Sequence, residues 1–201
     1  MPQAAYGMLT RLSPKEKHLS NSKKIVHILS GSIAAYKTPE VSDKLRQSGC
    51  DVTCVLTAAA KKFVTIDTLR ALSGNPVYDD MWSLESPHDV LHTALADSAD
   101  LILVAPASAD FLARAAAGMA NDLASCVLLA ATCPVLWAPA MNDNMYKNPI
   151  TQANIEKLKK YGHFFIDPIE GHLVCGRTAL GHIADIETIL KAVNRTLTEK
   201  R

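Results

Sequence analysis

Two short apolar segments, each followed by a turn of small and polar residues, constrain the fold of this chain most strongly. They cover residues 101–105 and 134–138, and roughly one pair of helices separates them. Strands that are apolar throughout fit a parallel sheet covered by helices on both faces, because neither side meets water. Ligands bind at the carboxyl edge of such an open sheet. We therefore expect the turns at residues 106–110 and 139–142 to form walls of one site.

Two further predicted strands, residues 24–29 and 51–56, also end in small polar turns. The first runs into Ser30-Gly31-Ser32 and then a helical run, and the second runs into Thr57-Ala58-Ala59. Backbone N–H groups at the start of a helix favour anions. The alternatives are a plain strand–helix connection at Gly31 and a helix cap at Thr57. No G-x-G-x-x-G motif follows the first strand, so the dinucleotide fingerprint is not supported.

Together these units predict an α/β fold, a Rossmann-like or flavodoxin-like open parallel sheet with helices on both faces. Residues 1–22 are predicted to be a flexible tail and residues 23–201 a single domain. Residues 77–89 are predicted to be irregular. Residues 170–181 fit neither helix nor strand, and a long glycine-bearing loop of this kind often serves as a lid. The predicted helices cover residues 33–47, 61–72, 90–96, 111–119, 123–131, 148–161 and 185–197, and a last short strand covers residues 163–166.

Composition excludes several classes of partner. The 21 lysines and arginines nearly balance the 20 aspartates and glutamates, so no overall field favours nucleic acid or an acidic membrane. No apolar run approaches the length of a membrane span. The five cysteines form no C-x-x-C pair, and their odd count without a secretory signal predicts a cytoplasmic protein. The histidines show no ligand spacing, so no metal site is predicted.

Two residues could carry chemistry at the predicted edge. His92 lies just before a helix predicted to pack on the sheet, and it could overhang the crevice; the alternative is a packed or capping histidine. Cys175 is the one cysteine outside the apolar runs, and it lies in the middle of the glycine-bearing segment.

The turns occur in the order GSIAAYK, LTAAA, HTAL, APASAD, APAMNDNMY and HLVCG. This set resembles the homo-oligomeric flavin-containing cysteine decarboxylase family across about residues 24–190. The family pairs PASANT with PXMNXXMW, which correspond here to residues 106–111 and 139–146. The most specific part of the resemblance is the asparagine–methionine motif together with the upstream His92 and the downstream Cys175.

The resemblance implies a carboxy-lyase with FMN as cofactor. The implied substrate is a small phosphorylated cysteine derivative, 4'-phosphopantothenoylcysteine, which is converted to 4'-phosphopantetheine in coenzyme A biosynthesis. The implied route is transient oxidation of the thiol to a thioaldehyde, loss of CO₂ and re-reduction. Family members form trimers with FMN at a subunit boundary, so we expect a homotrimer or a higher assembly of trimers.

By the same resemblance, His92 and Cys175 are catalytic, and Asn142, Met145 and Ala140 bind the substrate. The positions implied to contact FMN are Gly31, Ser32, Ile33, Thr57, Ala59, Phe63, Ser108, Ala109, Asp110 and Ala140.

Several departures from the family pattern matter. Asp110 replaces the asparagine of PASANT, and Tyr146 replaces the tryptophan of PXMNXXMW. The family flap reads A-C-G-D-x-G-x-G-R, whereas residues 174–182 lack the aspartate, one glycine and the arginine. The alternatives on this fold are a peptidyl-cysteine oxidative decarboxylase, a flavin prenyltransferase and, from a non-enzyme class, a flavin-binding regulatory subunit.

Overall fold

The computed structural model describes residues 22–82, 90–172, 176 and 178–199. Within them the strands are β1 (Lys24–Leu29), β2 (Asp51–Leu56), β3 (Val77–Tyr78), β4 (Leu101–Ala107), β5 (Val135–Pro139), β6 (Phe164–Phe165), β7 (Ile169–His172) and β8 (Thr178–His182). The α-helices are α1 (Thr38–Gln47), α2 (Ile66–Ser73), α3 (Leu91–Ser98), α4 (Ala109–Ala116), α5 (Leu123–Ala130), α6 (Asp143–Lys147), α7 (Pro149–Lys160) and α8 (Ile186–Thr198). Two 3₁₀ turns cover Ile33–Tyr36 and Ala60–Lys62.

The first six strands form one parallel sheet in the order β3-β2-β1-β4-β5-β6. From β1, the next two strands add on one side of the sheet and end at β3. The chain then crosses back, so that β4, β5 and β6 add on the other side of β1. The strand order therefore reverses between β1 and β4. The crevice at such a switch point, outside the carboxyl ends of the strands, is where open α/β sheets bind ligands.

Each face of the sheet has its own hydrophobic core. On one face, Ile25, Leu29 and Leu103 pack in a cluster that also contains Val41 of α1 and Ile189 of α8. The other face carries a second cluster, in which side chains of α3, α4, α5 and α7 pack around the buried Trp137. Helices on both faces of a parallel sheet confirm the predicted fold class.

Two predicted helices are interrupted near their starts. The predicted run 33–47 begins as a 3₁₀ turn and becomes α1 only at Thr38, where Pro39 occupies the first turn. Proline suits that position because its missing N–H would have no partner there. The predicted run 61–72 begins in the same way, and α2 starts after Thr65, whose side chain accepts a hydrogen bond from the Thr68 N–H.

Two segments predicted to be irregular contain strands. β3 is short, and it pairs with Cys54 and Val55 of β2. β7 and β8 form an antiparallel hairpin in place of the predicted loop. Gly171 and Gly181 interrupt any alternation of polar and apolar residues in this ribbon, so the period that normally reveals a strand is missing. α6 was not predicted either.

Among the described residues, no helix is both long and apolar enough to cross a bilayer. In the same part of the chain, no three histidine, cysteine, aspartate or glutamate side chains are grouped as metal ligands would be.

Candidate active site

The turn after β1 is held in place by small residues. Ser32 is buried, and its hydroxyl accepts a hydrogen bond from the Ala34 N–H at 3.3 Å, which caps the 3₁₀ turn. A Cβ atom at Gly31 would overlap the methyl group of Ala59. Only glycine therefore allows the turns after β1 and β2 to touch. The side chain of Ile33 is 48% exposed at this edge.

The turn after β2 lies beside the first turn. The Thr57 N–H donates to the Leu29 carbonyl at 3.0 Å, and the buried Thr57 hydroxyl accepts from the Ala60 N–H at 3.2 Å. Since a hydroxyl both accepts and donates, the Thr57 proton can serve a ligand while its oxygen caps the turn. Ala59 is exposed, and the Phe63 side chain is 41% exposed at the end of the turn.

The turn after β4 is tied directly to the end of β1. The buried Ser30 hydroxyl donates to the Pro106 carbonyl at 2.7 Å and accepts from the Ser108 N–H at 2.8 Å. Ser108 in turn caps α4 by accepting from the Phe111 N–H at 3.2 Å. Ser30 belongs to the predicted Ser30-Gly31-Ser32 turn, but its role in joining β1 to the β4 turn was not predicted; a serine directly before Gly31 was a signal that could have revealed it.

Asp110 is exposed in the first turn of α4 and forms an ion pair with Arg114 at 3.0 Å. Arg114 also pairs with Asp122, the N-cap of α5, at 2.7 Å. Burial disfavours the charged guanidinium, but the hydrogen bond and charge of Asp122 outweigh it and raise the pKa of Arg114. The family asparagine is thus replaced by an exposed carboxylate that shares Arg114 with Asp122.

The turn after β5 carries the asparagine–methionine motif. Its start is joined to the β4 turn, because the N–H of the buried Ala140 donates to the Ala107 carbonyl at 3.0 Å. Asn142 caps α6, and its side-chain oxygen accepts from the Asn144 N–H at 3.0 Å. With the oxygen in this bond, the amide nitrogen is the end of the side chain suited to a carboxylate. Met145 is 49% exposed one turn further along α6.

The base of the β7–β8 hairpin packs on this turn. The Met141 N–H donates to the Gly181 carbonyl at 3.0 Å, and a Cβ atom at Gly181 would overlap the Met141 carbonyl. On the other side of the hairpin, the Lys37 ammonium donates to Nε2 of His182 at 2.8 Å. The hairpin base therefore contacts both the Asn142 turn and the segment that follows the Gly31 turn.

His92 lies in the first turn of α3, rather than just before the helix, and its side chain is half-buried. A short connection joins the carboxyl end of α3 to the start of β4, so the amino end of the helix lies toward the carboxyl edge of the sheet. The place of His92 in the site stays a prediction. Cys175 and Arg177 lie outside the described residues.

These turns fit a flavin. Gly31, Ala59 and Ala140 have small side chains or none, and the Gly31 turn packs directly on Ala59, whose methyl group a Cβ atom at Gly31 would overlap. The hydroxyls of Ser32, Thr57 and Ser108 can bind a phosphate or a ribityl chain. Ile33 and Phe63 expose the kind of apolar surface that an aromatic ring system covers. All of these positions were predicted from the sequence.

A sequence model of the family described as "Flavoprotein" matches residues 13–198. The chain belongs to the flavoprotein family. The flavin-containing family predicted from the turns is thereby confirmed, and a flavin is the cofactor class that goes with it.

Two curated relatives show the extent of the similarity. This flavoprotein is 45% identical over 178 residues to a probable phosphopantothenoylcysteine decarboxylase of Streptococcus mutans, covering 88% of this chain and 99% of the relative. It is 40% identical over 180 residues to the coenzyme A biosynthesis bifunctional protein CoaBC of Bacillus subtilis. That match covers 90% of this chain but only 44% of the bifunctional protein, so the chain spans less than half of such relatives.

Three solved structures illustrate the similarity of fold. A PPC decarboxylase mutant complexed with pantothenoylaminoethenethiol has a TM-score of 0.82 and 29% identity, over 89% of this chain and all of that one. The FMN-dependent cysteine decarboxylase SpaF has a TM-score of 0.76 and 28% identity, over 88% and 98% of the two chains. The FMN-binding protein AtHal3 has a TM-score of 0.76 and 30% identity, over 87% and 96%.

Proposed function

We propose that this flavoprotein is an FMN-dependent phosphopantothenoylcysteine decarboxylase, which converts 4'-phosphopantothenoylcysteine to 4'-phosphopantetheine in coenzyme A biosynthesis. The observation that carries the proposal is the 45% identity to the Streptococcus mutans relative across 99% of its length. The similarity to the PPC decarboxylase complex supports it independently, since that structure contains a pantothenoyl enethiol.

FMN is proposed to bind in the cradle formed by the four turns. Gly31, Ser32 and Ile33 hold it on one side, Thr57, Ala59 and Phe63 on the next, and Ser108, Ala109, Asp110 and Ala140 line the remainder. When bound, FMN supplies the two-electron oxidation of the substrate thiol carbon and the return of those electrons. The protein supplies position, exclusion of water and protons.

Asn142 is proposed to bind the substrate carboxylate. Its amide donates a hydrogen bond without a full positive charge, so it does not oppose the departure of the carboxylate as neutral CO₂. Ala140 and Met145 contact the substrate beside it. At the thioaldehyde level, the electron pair of the breaking C–C bond passes to sulfur and leaves an enethiolate.

His92 and Cys175 are proposed to move protons. Histidine is a common general base in enzymes, and His92 would take the proton of the substrate thiol. Cys175 would donate a proton to carbon of the enethiolate. The β7–β8 hairpin frames the segment that carries Cys175, and its base is anchored to the Asn142 turn. This arrangement suits a cover that excludes water during the reaction.

The assembly is proposed to be a homotrimer or a higher assembly of trimers, with FMN at a subunit boundary. Exposed apolar side chains beside the cradle support this: Ile33 is 48% exposed, Tyr36 61% and Phe63 41%. The division into a tail of residues 1–22 and one domain of residues 23–201 stays a prediction, as does the cytoplasmic location.

The deciding experiment is anaerobic incubation of the flavin-loaded protein with 4'-phosphopantothenoylcysteine. CO₂ release, phosphopantetheine formation and the visible flavin spectrum are followed together. We expect one CO₂ per phosphopantetheine formed, with oxidised flavin regenerated. Bound flavin without CO₂ release would contradict the proposal.

Peptidyl-cysteine decarboxylation is the second candidate, since the similar protein SpaF is described only as an FMN-dependent cysteine decarboxylase. A peptide ending in cysteine, assayed beside the phosphorylated substrate, separates the two functions. We expect the peptide to be turned over poorly. A kcat/KM higher for the peptide than for 4'-phosphopantothenoylcysteine would reverse the assignment.

A further inference from the structure

A buried chain of polar groups lies beneath the proposed flavin cradle. His27, at the centre of β1, is fully buried among apolar side chains. Its Nε2 lies 2.8 Å from the Ala105 carbonyl, and its Nδ1 lies 2.8 Å from the Ser42 hydroxyl of α1. The Ser42 hydroxyl in turn lies 3.4 Å from the Cys54 sulfur of β2. A buried polar group without a hydrogen-bond partner would destabilise this core. Each member of this hydrogen-bonded series therefore depends on its neighbours.

The partners determine the tautomer of His27. A carbonyl oxygen can only accept, so Nε2 carries the proton and donates to Ala105. Nδ1 is then the acceptor and receives the Ser42 hydroxyl proton, which leaves the Ser42 oxygen to accept from the Cys54 thiol. Every donor in this series of hydrogen bonds points toward Ala105, which lies two residues before the end of β4 and three before Ser108.

Ala105 lies where the regular strand pairing changes. The register between β1 and β4 ends with Ile28 opposite Val104. Between β4 and β5 it passes from Val104 to Ala107, omitting the two residues in between. At this irregularity two side chains bind successive carbonyls of β4: His27 of β1 binds that of Ala105, and Ser30, directly after β1, binds that of Pro106.

We propose that His27 is a positioning residue for the cofactor: its imidazole fixes the Ala105 carbonyl and, through it, the turn that places Ser108 and Ala109 against FMN. This inference rests on the proposed flavin cradle and adds a residue outside it. Burial, which lowers the pKa of His27 to about 4, keeps the ring neutral and in this tautomer near neutral pH.

The test compares FMN binding by three variants, measured as the dissociation constant of FMN from the stripped apoprotein by fluorescence quenching. His27→Leu keeps an apolar body but has no donor for Ala105. His27→Gln keeps an amide N–H that can donate. Ile25→Ala is the matched control, because Ile25 is buried on the same face of β1 but pairs with Leu101 at the opposite end of β4.

Loss of a buried hydrogen bond that positions the turn should raise the Kd for FMN about tenfold in His27→Leu. His27→Gln should stay within about twofold of the unchanged protein, and so should Ile25→Ala despite its lower stability. If His27 had only a structural role, His27→Leu and Ile25→Ala would both be less stable, but their Kd values for FMN would be similar. Wild-type affinity in His27→Leu would overturn the proposal.

If His27→Leu does not fold, nitrogen NMR of histidine-labelled wild-type protein decides instead. The Nε2–H signal of His27 should shift when FMN is added, because the carbonyl it binds belongs to the cofactor turn. An unchanged signal overturns the proposal. Wild-type protein that binds FMN without releasing CO₂ overturns the proposed function alone, whereas protein that binds no FMN overturns both.

Discussion

His27 also governs how stability responds to acid. Burial lowers its pKa from 6.5 to about 4, and the hydrogen bond to Ala105 only partly offsets this effect. Between these two values the unfolded chain binds a proton that the folded chain does not accept. The free energy of unfolding therefore has its full His27 contribution above about pH 6.5, and it loses that contribution as the pH falls toward 4.

Replacement of His27 by glutamine should remove this dependence. Over the window from pH 7 to pH 4, the wild-type protein should lose ~3 kcal/mol of unfolding free energy more than His27→Gln does. Urea unfolding at several pH values gives the free energy of unfolding of both proteins. The carboxylates that they share contribute equally to both values, so their titration does not affect the difference. Parallel curves would show that His27 is protonated in the folded state as readily as in the unfolded one.

His92→Asn should lower decarboxylation by ~10²–10⁴-fold while FMN stays bound, because the amide cannot act as the base. CO₂ release and flavin content are measured on the same sample. Thr93→Ala, in the same helical turn, is the control and should retain activity. Retained CO₂ release in His92→Asn would remove this residue from the mechanism.

Cys175→Ser should separate CO₂ loss from the final reduction. Decarboxylation should continue, but without the thiol proton the enethiol should be released and the flavin left reduced. Mass spectrometry of the product and the flavin spectrum report both effects. Cys126→Ser, in α5, should form phosphopantetheine normally, and a normal yield from Cys175→Ser would contradict its role as acid.

At the scale of elements, the β7–β8 hairpin is the least regular part of the proposed site. Its position depends on contacts at its base rather than on the main sheet. Gly181 has a φ of 139°, in a region that residues with a side chain rarely adopt, and it meets the Met141 carbonyl at close range.

Gly181→Ala should therefore displace the hairpin and raise KM for the substrate about tenfold, while FMN affinity changes little. Steady-state kinetics and flavin titration test this. Gly118→Ala is matched for backbone strain, since Gly118 has a φ of 69° but no atom within 4 Å of an added Cβ. Equal effects on KM in the two variants would mean that general strain, not hairpin docking, is responsible.

Elements with a strong apolar pattern could be predicted from the sequence, and those held by tertiary contacts could not. β4 and β5 are apolar throughout, so their strands and turns were found. β3 forms because Val77 and Tyr78 can pair with β2, and a two-residue strand has no period to detect. The assignment of these turns to FMN came from the resemblance and stays a prediction. His27 was missed as a structural residue because its partners, Ser42 and Ala105, are distant in sequence.

For the whole molecule, the proposed cradle and the proposed subunit boundary coincide. Tyr36 is the most exposed of the three apolar side chains beside the cradle, and it lies at the end of the 3₁₀ turn that begins at Ile33. In a monomer the side chains of Ile33, Tyr36 and Phe63 would remain exposed to water. In a trimer with FMN between subunits they would be covered, so flavin binding and assembly should depend on each other.

Tyr36→Glu should consequently lower the assembled mass and the flavin content together, because a carboxylate in a dry interface is costly. Sedimentation velocity measures the mass, and absorbance measures the flavin. Ile150→Glu is the control, since Ile150 is 73% exposed at the start of α7. An unchanged mass for Tyr36→Glu would place the boundary elsewhere on the surface.

The contact between Gly31 and Ala59 has a consequence for changes to the cofactor loops. Neither position can gain bulk alone, because the added atoms would meet the neighbouring loop before they reached any ligand. Consider a variant library in which one of these loops is randomised and the other is unchanged. In most of its members the larger side chain would push the two loops apart. Altered cofactor selectivity should therefore emerge only from paired substitutions.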